Sequence, residues 1–139
     1  MQQHILQSDG ERDLQTLLRS IRPSLHASTF VYCSLTVDHL PSDVHPFCTV
    51  RESEGLTVVL TDEDAVRMAM PHGPRWRLIT LTIHSSLEAV GLIAGVSRVL
   101  ADRGIACNVV SGYFHDHLLV PCGRADDAMA ALTDLAAAA

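Results

Sequence analysis

The chain has 139 residues, 47% of them hydrophobic and 19% charged, with a formal net charge of −6 and a pI near 5.6. That composition excludes a disordered chain, and the length holds one domain or two very small ones sharing a sheet. Basic residues pair only at Arg75 and Arg77, which leaves no electrostatic footprint for nucleic acid or an anionic membrane and excludes both as partners.

The opening residues 1–13 show no basic region followed by an apolar stretch. The apolar segments further on are interrupted by Glu88, Ser97, Arg98 or Asp102, so neither export nor membrane spanning is expected. Cys33, Cys48, Cys107 and Cys122 sit beside apolar residues with no C-x-x-C spacing, and read as buried free thiols of a cytoplasmic protein.

Leu14, Leu17, Leu18 and Ile21 recur at helical spacing ahead of Pro23, which predicts a short amphipathic helix. Residues 29–35, β-branched and aromatic, predict a strand, followed by a loop over 38–46. A hairpin is expected from 47–51 and 56–60 around Gly55. Thr61 and Asp64 then begin a short helix to Met70, and the breaker 71–74 marks an internal boundary. These signals divide the chain into 1–73 and 74–139.

The second half opens with a strand over 76–84, in which Ile79, Leu81 and Ile83 share one face and Thr80 and Thr82 the other, the pattern of a half-buried strand. Ser85 to Glu88 reads as a capping box for a helix with Leu92, Val96, Val99 and Leu100 as its buried stripe, ending at Gly104. A strand over 105–113 turns through Phe114, His115 and Asp116 into 117–121, and Ala125, Ala128, Met129, Leu132 and Leu135 define a last helix. Each half thus contains a hairpin followed by a helix, but neither completes a four-stranded β-α-β-β-α-β unit, so strands are expected to be shared between halves or subunits.

A right-handed split β-α-β brings His84, the residues 85–92 and the connection 113–117 to one edge of the sheet. A carboxylate or phosphate beside 86–90 would meet free backbone N–H groups, and an ammonium would find acceptors among Asn108, Asp116, Glu88 and hairpin carbonyls. Gly91 and Gly95, read as helix-interior residues at i, i+4, point to a close approach by a ligand or a packed neighbour. His84, His115 and His117 with Asp116 could be read as a metal cluster, the alternative being a metal-binding enzyme that requires the three histidines to converge, although H-x-H is ordinary surface chemistry. No catalytic residue, metal site or cofactor is assigned, because no nucleophile, phosphate loop or carboxylate pair accompanies these groups. Cys107 and Trp76 read as core or interface residues.

The run from Leu81 to Tyr113 closely resembles an ACT domain, with Val90-Gly91-Leu92, Leu100, Gly104-Ile105 and Asn108 at the family's positions. The hairpin 113–121 and the segment 47–60 look like those of small bacterial double-ACT proteins. The resemblance implies an α/β (α+β) fold of ferredoxin-like βαββαβ units, as two ACT-like halves with antiparallel sheets and helices packed on one face. It further implies a regulatory, non-enzymatic amino-acid binder that forms homodimers, or a ligand-free assembly module, acting on another protein. Carried onto this chain, the ligand positions are Ser85, Ser86, Ala89, Val90, Gly91, Leu92, Asn108 and Val109, with Asp116 added from the hairpin.

Overall fold

In a computed structural model, residues 10–36 and 40–139 are described, so Asp38 and His39 of the loop read over 38–46 lie outside the described residues. Helix α1 (Leu14–Ser20) is capped by Asp13, whose carboxylate accepts from the Thr16 backbone N–H at 2.9 Å, and it buries Leu17. Strand β1 (Pro23–Leu35) is longer than the stretch 29–35. Its first part, around an irregularity between Leu25 and Thr29, pairs with β4 (Trp76–Leu81), and its last part pairs with β3 (Gly55–Thr61).

Strand β2 (Cys48–Glu52) forms the expected hairpin with β3. A Cβ at Gly55 would lie 2.5 Å from the Leu35 carbonyl oxygen, so the turn packs where only glycine fits. Helix α2 (Asp62–Arg67) starts at Thr61 as expected, with the Asp64 N–H donating to Thr61 Oγ1. It stops before Met70, because Ala69 turns left-handed (φ 53°) and the Met70 N–H reaches back to the Ala65 carbonyl ahead of Pro71.

In the second half, α3 (Leu92–Asp102) is followed by β5 (Asn108–Ser111), β6 (Asp116–Pro121), a 3₁₀ turn (Cys122–Arg124) and α4 (Ala125–Ala138). The six strands form one antiparallel sheet in the order β2-β3-β1-β4-β6-β5. Both β1 and β4 are central, and β1 pairs with strands of both halves.

The helices share one face of this sheet. Ile79, Leu81, Leu118 and Val120 pack under α1, α3 and α4 around Leu17, Val96 and Leu132, while Val31, Cys33, Val58 and Leu60 pack with Ala65 of α2. The opposite face is not simply wet, since Phe30, Val59, Leu78 and Leu119 are buried on it with Tyr32, Phe47 and Trp76 against them. Strand β4 is therefore buried on both faces from Leu78 to Leu81, instead of alternating. The reason is curl: Phe47, just before edge strand β2, stands 5.2 Å by ring centroids from His117 on β6, although three strands lie between. The cysteines are free, but Cys122 is exposed, unlike the buried set expected from their neighbours.

Candidate functional site

After β4 the chain does not enter a helix at Ser85. Ser86 Oγ accepts from the Glu88 N–H at 3.1 Å in a tight turn, and α3 begins only at Leu92, seven residues after Ser85, the start of the capping box read from the sequence. Its N-cap is Gly91, left-handed at φ 101°, with no side chain capping the helix among the described residues. Gly91 is thus outside the helix interior. A Cβ there would sit 3.0 Å from Leu14 Cδ2, so α1 is the neighbour that makes the close approach. Gly95 is helical and meets Leu18 of the same helix.

The N–H groups of Leu92, Ile93 and Ala94 lie in the first turn, where an α-helix offers no carbonyl partner of its own and presents positive potential. Leu92, Ile93 and Ala94 line a cavity of about 220 Å³ together with Ser85, Ser86, Ala89, Ser111 and Asp116. Asp116, 8% exposed, is the charged group of this lining. Ser111 Oγ donates to its Oδ1 at 2.7 Å and Ser85 Oγ stands 3.4 Å from its Oδ2, which holds the carboxylate in place and leaves it acceptor capacity.

Residues from the other half of the chain brace the loop that carries Ser85 and Ser86. The Glu11 N–H donates to the His84 carbonyl at 3.0 Å, and the Ser86 N–H to the Glu11 carbonyl at 2.8 Å, so residues 10–13 lie laced along the loop after β4. Gly10 has no room for a side chain there, with the Ser85 and Ser86 backbone 2.8 Å from a Cβ position. Arg12 pairs with Glu88 at 2.6 Å, both exposed, in an adjoining cleft of about 180 Å³ that shares Ser86 and Leu87 with the cavity.

Of the positions inferred from sequence, Ser85, Ser86, Ala89, Gly91, Leu92 and Asp116 are brought together around this cavity. Val90 stands beside it, 83% exposed. Asn108 and Val109 are not brought there. Asn108 pairs with Leu119 at the far end of β5, three residues or about 10 Å along the strand from Ser111. Ser111, Ile93 and Ala94 were missed. Ser111 pairs with Asp116 because the hairpin closes over 112–115, ahead of the turn read through 114–116.

The histidines take separate roles. His84 packs on the rings of Tyr113 and Phe114, His115 Nδ1 is 3.2 Å from the Ile83 carbonyl oxygen, and His117 Nδ1 is 2.8 Å from Thr80 Oγ1 on the other face of the sheet. Among the described residues, no group of three His, Cys, Asp or Glu side chains is arranged to hold a metal ion. Burial pushes the His117 imidazole below its ordinary pKa, and the charges of His115 and His26 push the same way, against a smaller opposite effect of Asp116.

Overlapping hairpin-and-helix halves in one antiparallel sheet, with a polar cavity at a helix N-terminus, define a ferredoxin-like pair of small α/β units. An ACT domain model matches residues 9–75 and a second one residues 74–134. A Vibrio cholerae protein of unknown function, described as a possible transport protein, is 43% identical over 88% of this chain and 95% of its own, with a TM-score of 0.78. The chain belongs to the ACT-domain proteins and carries two such domains. An Agrobacterium tumefaciens protein shares the fold at 21% identity, covering 84% of this chain and 89% of its own (TM-score 0.70). The ligand-free regulatory subunit of aspartate kinase from Thermus thermophilus does so at 8% identity, covering 84% and 97% (TM-score 0.66). No curated protein matches the chain. No helix among the described residues is long and apolar enough to cross a membrane.

Proposed function

We propose that this protein is a cytoplasmic, non-enzymatic amino-acid sensor that binds one α-amino acid at the start of α3 and relays its occupancy to another protein. The observation that carries the reading is the pairing of opposite chemistries around one cavity. The uncapped first turn of α3 suits a carboxylate, and the fixed carboxylate of Asp116 suits an ammonium. Ser85, Ser86, Ala89, Gly91 and Leu92 complete the surround, and the small cavity favours a compact amino acid. The aspartate kinase regulatory subunit, alike in fold, supports a regulatory role for the pair of domains, divided in this chain as 1–73 and 74–139.

A second reading has its own support. Leu87, Val90, Tyr113 and Phe114 are exposed by 65%, 83%, 42% and 47% on the loops 85–91 and 112–115 whose neighbouring residues line the cavity, apolar surface that suits a second copy of the chain. In a homodimer the partner would complete the site or plug it.

A thermal-shift screen of the purified protein against the twenty amino acids separates these readings, because a ligand of the native state raises the melting temperature. The sensor reading predicts a rise with one or a few amino acids, lost in Asp116→Asn. A screen without any rise leaves the assembly module as the function of this surface.

A further inference from the structure

The curl of the sheet creates a second cavity, of about 500 Å³, on the face away from the helices. Edge strands β2 and β5 form its opposite walls, with Val50 on one and Val110 on the other, and the central strands β1 and β4 supply Tyr32 and Trp76 between them. These two rings meet edge to face at 5.8 Å. Among the described residues, no acidic or basic side chain lines the cavity. Its polar groups include Asn108, whose carboxamide has both donor and acceptor capacity.

We propose that this cavity is a binding site for a neutral, flat aromatic molecule with one polar substituent, held between the two edges of the sheet. The site is separate from the cavity at α3 and does not depend on the amino-acid reading. Its volume lies within the range of roughly 300–1,000 Å³ usual for small-molecule clefts, and its mix of apolar walls with a few polar groups is their usual make-up. A charged ligand would lose hydration without finding a counter-charge. The faces and edges of Trp76 and Tyr32 favour a ring as the occupant, and Asn108 gives the ring's substituent a partner.

A protein partner fits less well. The exposed large apolar residues at this cavity are Val50 and Val109, a small rim beside the roughly 800 Å² per side that a stable protein interface covers.

Trp76 is the only tryptophan of the chain, so its emission reports on this cavity alone. The neutral probe N-phenyl-1-naphthylamine is titrated into the full-length protein while Trp76 emission and probe fluorescence are followed. The expected result is a saturable 1:1 rise in probe fluorescence with matching loss of Trp76 emission. Val50→Glu, at an exposed position, should weaken binding by about tenfold or more by placing a charge at the rim, with the circular-dichroism melt unchanged. The proposal is overturned if Trp76 emission does not respond, or if Val50→Glu binds the probe as the parent does. It is equally overturned if sedimentation shows the chain pairing and the probe being expelled as it pairs, since the groove would then be an interface between copies.

Discussion

Asp116 and His117 are neighbours on β6 that point to opposite faces, and each ties its face to a different chemistry. Asp116, with Ser85 and Ser111 on it, faces the helix-side cavity. His117 faces the concave side, where Thr80 Oγ1 links it to His26 Nε2, 2.9 Å away on β1. Because burial holds the His117 pKa down in the folded protein, the unfolded chain takes up the proton first as pH falls through the ordinary imidazole value of about 6.5. Its contribution to stability is complete above that pH and declines below it. His117→Gln, which keeps a hydrogen-bonding group beside Thr80, should give a shallower loss of urea midpoint between pH 7.5 and pH 5 than the parent. Equal slopes would show that the loss arises at other groups. Asp116 was legible in the sequence because a polar residue at a hairpin end beside a helix start is an obvious acceptor. Its partner Ser111 was not, because its role depends on where the hairpin turns.

The elements around the site turn on how α3 begins. The polar run Ser85 to Glu88 looks like an N-cap, yet the structure uses it as a turn and starts the helix at a glycine with no capping side chain. Periodicity identified the helix and its buried stripe, since Leu92, Val96 and Leu100 are all in the core. It could not fix the first residue, because Gly91 acts through its left-handed backbone and its contact with Leu14, and neither leaves a polar signature. Gly91→Ala should cost about 1–3 kcal/mol for the unfavourable φ, with a further penalty for displacing Leu14. Urea unfolding measures this, and a variant as stable as the parent would mean that the turn readily adopts another backbone. The same difficulty hid the start of β1: its residues His26, Ala27 and Ser28 are exposed and carry no strand pattern, and it is the pairing of Pro23 to Leu25 and of Thr29 and Phe30 with β4, on either side of them, that makes the segment a strand.

At the scale of the molecule, the sequence reading captured helices on one face of an antiparallel sheet and the need to share strands. It missed the curl that buries β4 on both faces, because curl depends on how distant strands meet and leaves no local signature. Since β1 pairs with both β3 and β4, disrupting either half should be felt by the other. Leu118→Ala, in the core beneath α3 and α4, should destabilise by about 2–5 kcal/mol and move a single unfolding transition. Trp76 fluorescence and far-ultraviolet circular dichroism should report the same midpoint. Separate midpoints would mean that the ACT units unfold independently.

The central claim, that the first turn of α3 and Asp116 together receive an amino acid, is tested most directly by two-dimensional NMR of the isotope-labelled protein during titration with the amino acid that raises its melting temperature most. The backbone amides of Leu92, Ile93 and Ala94 are expected to shift most, together with those of Ser85 and Asp116, and the shifts should vanish with the des-amino analogue. Shifts confined to the concave face, or none in the first turn of α3, would contradict it.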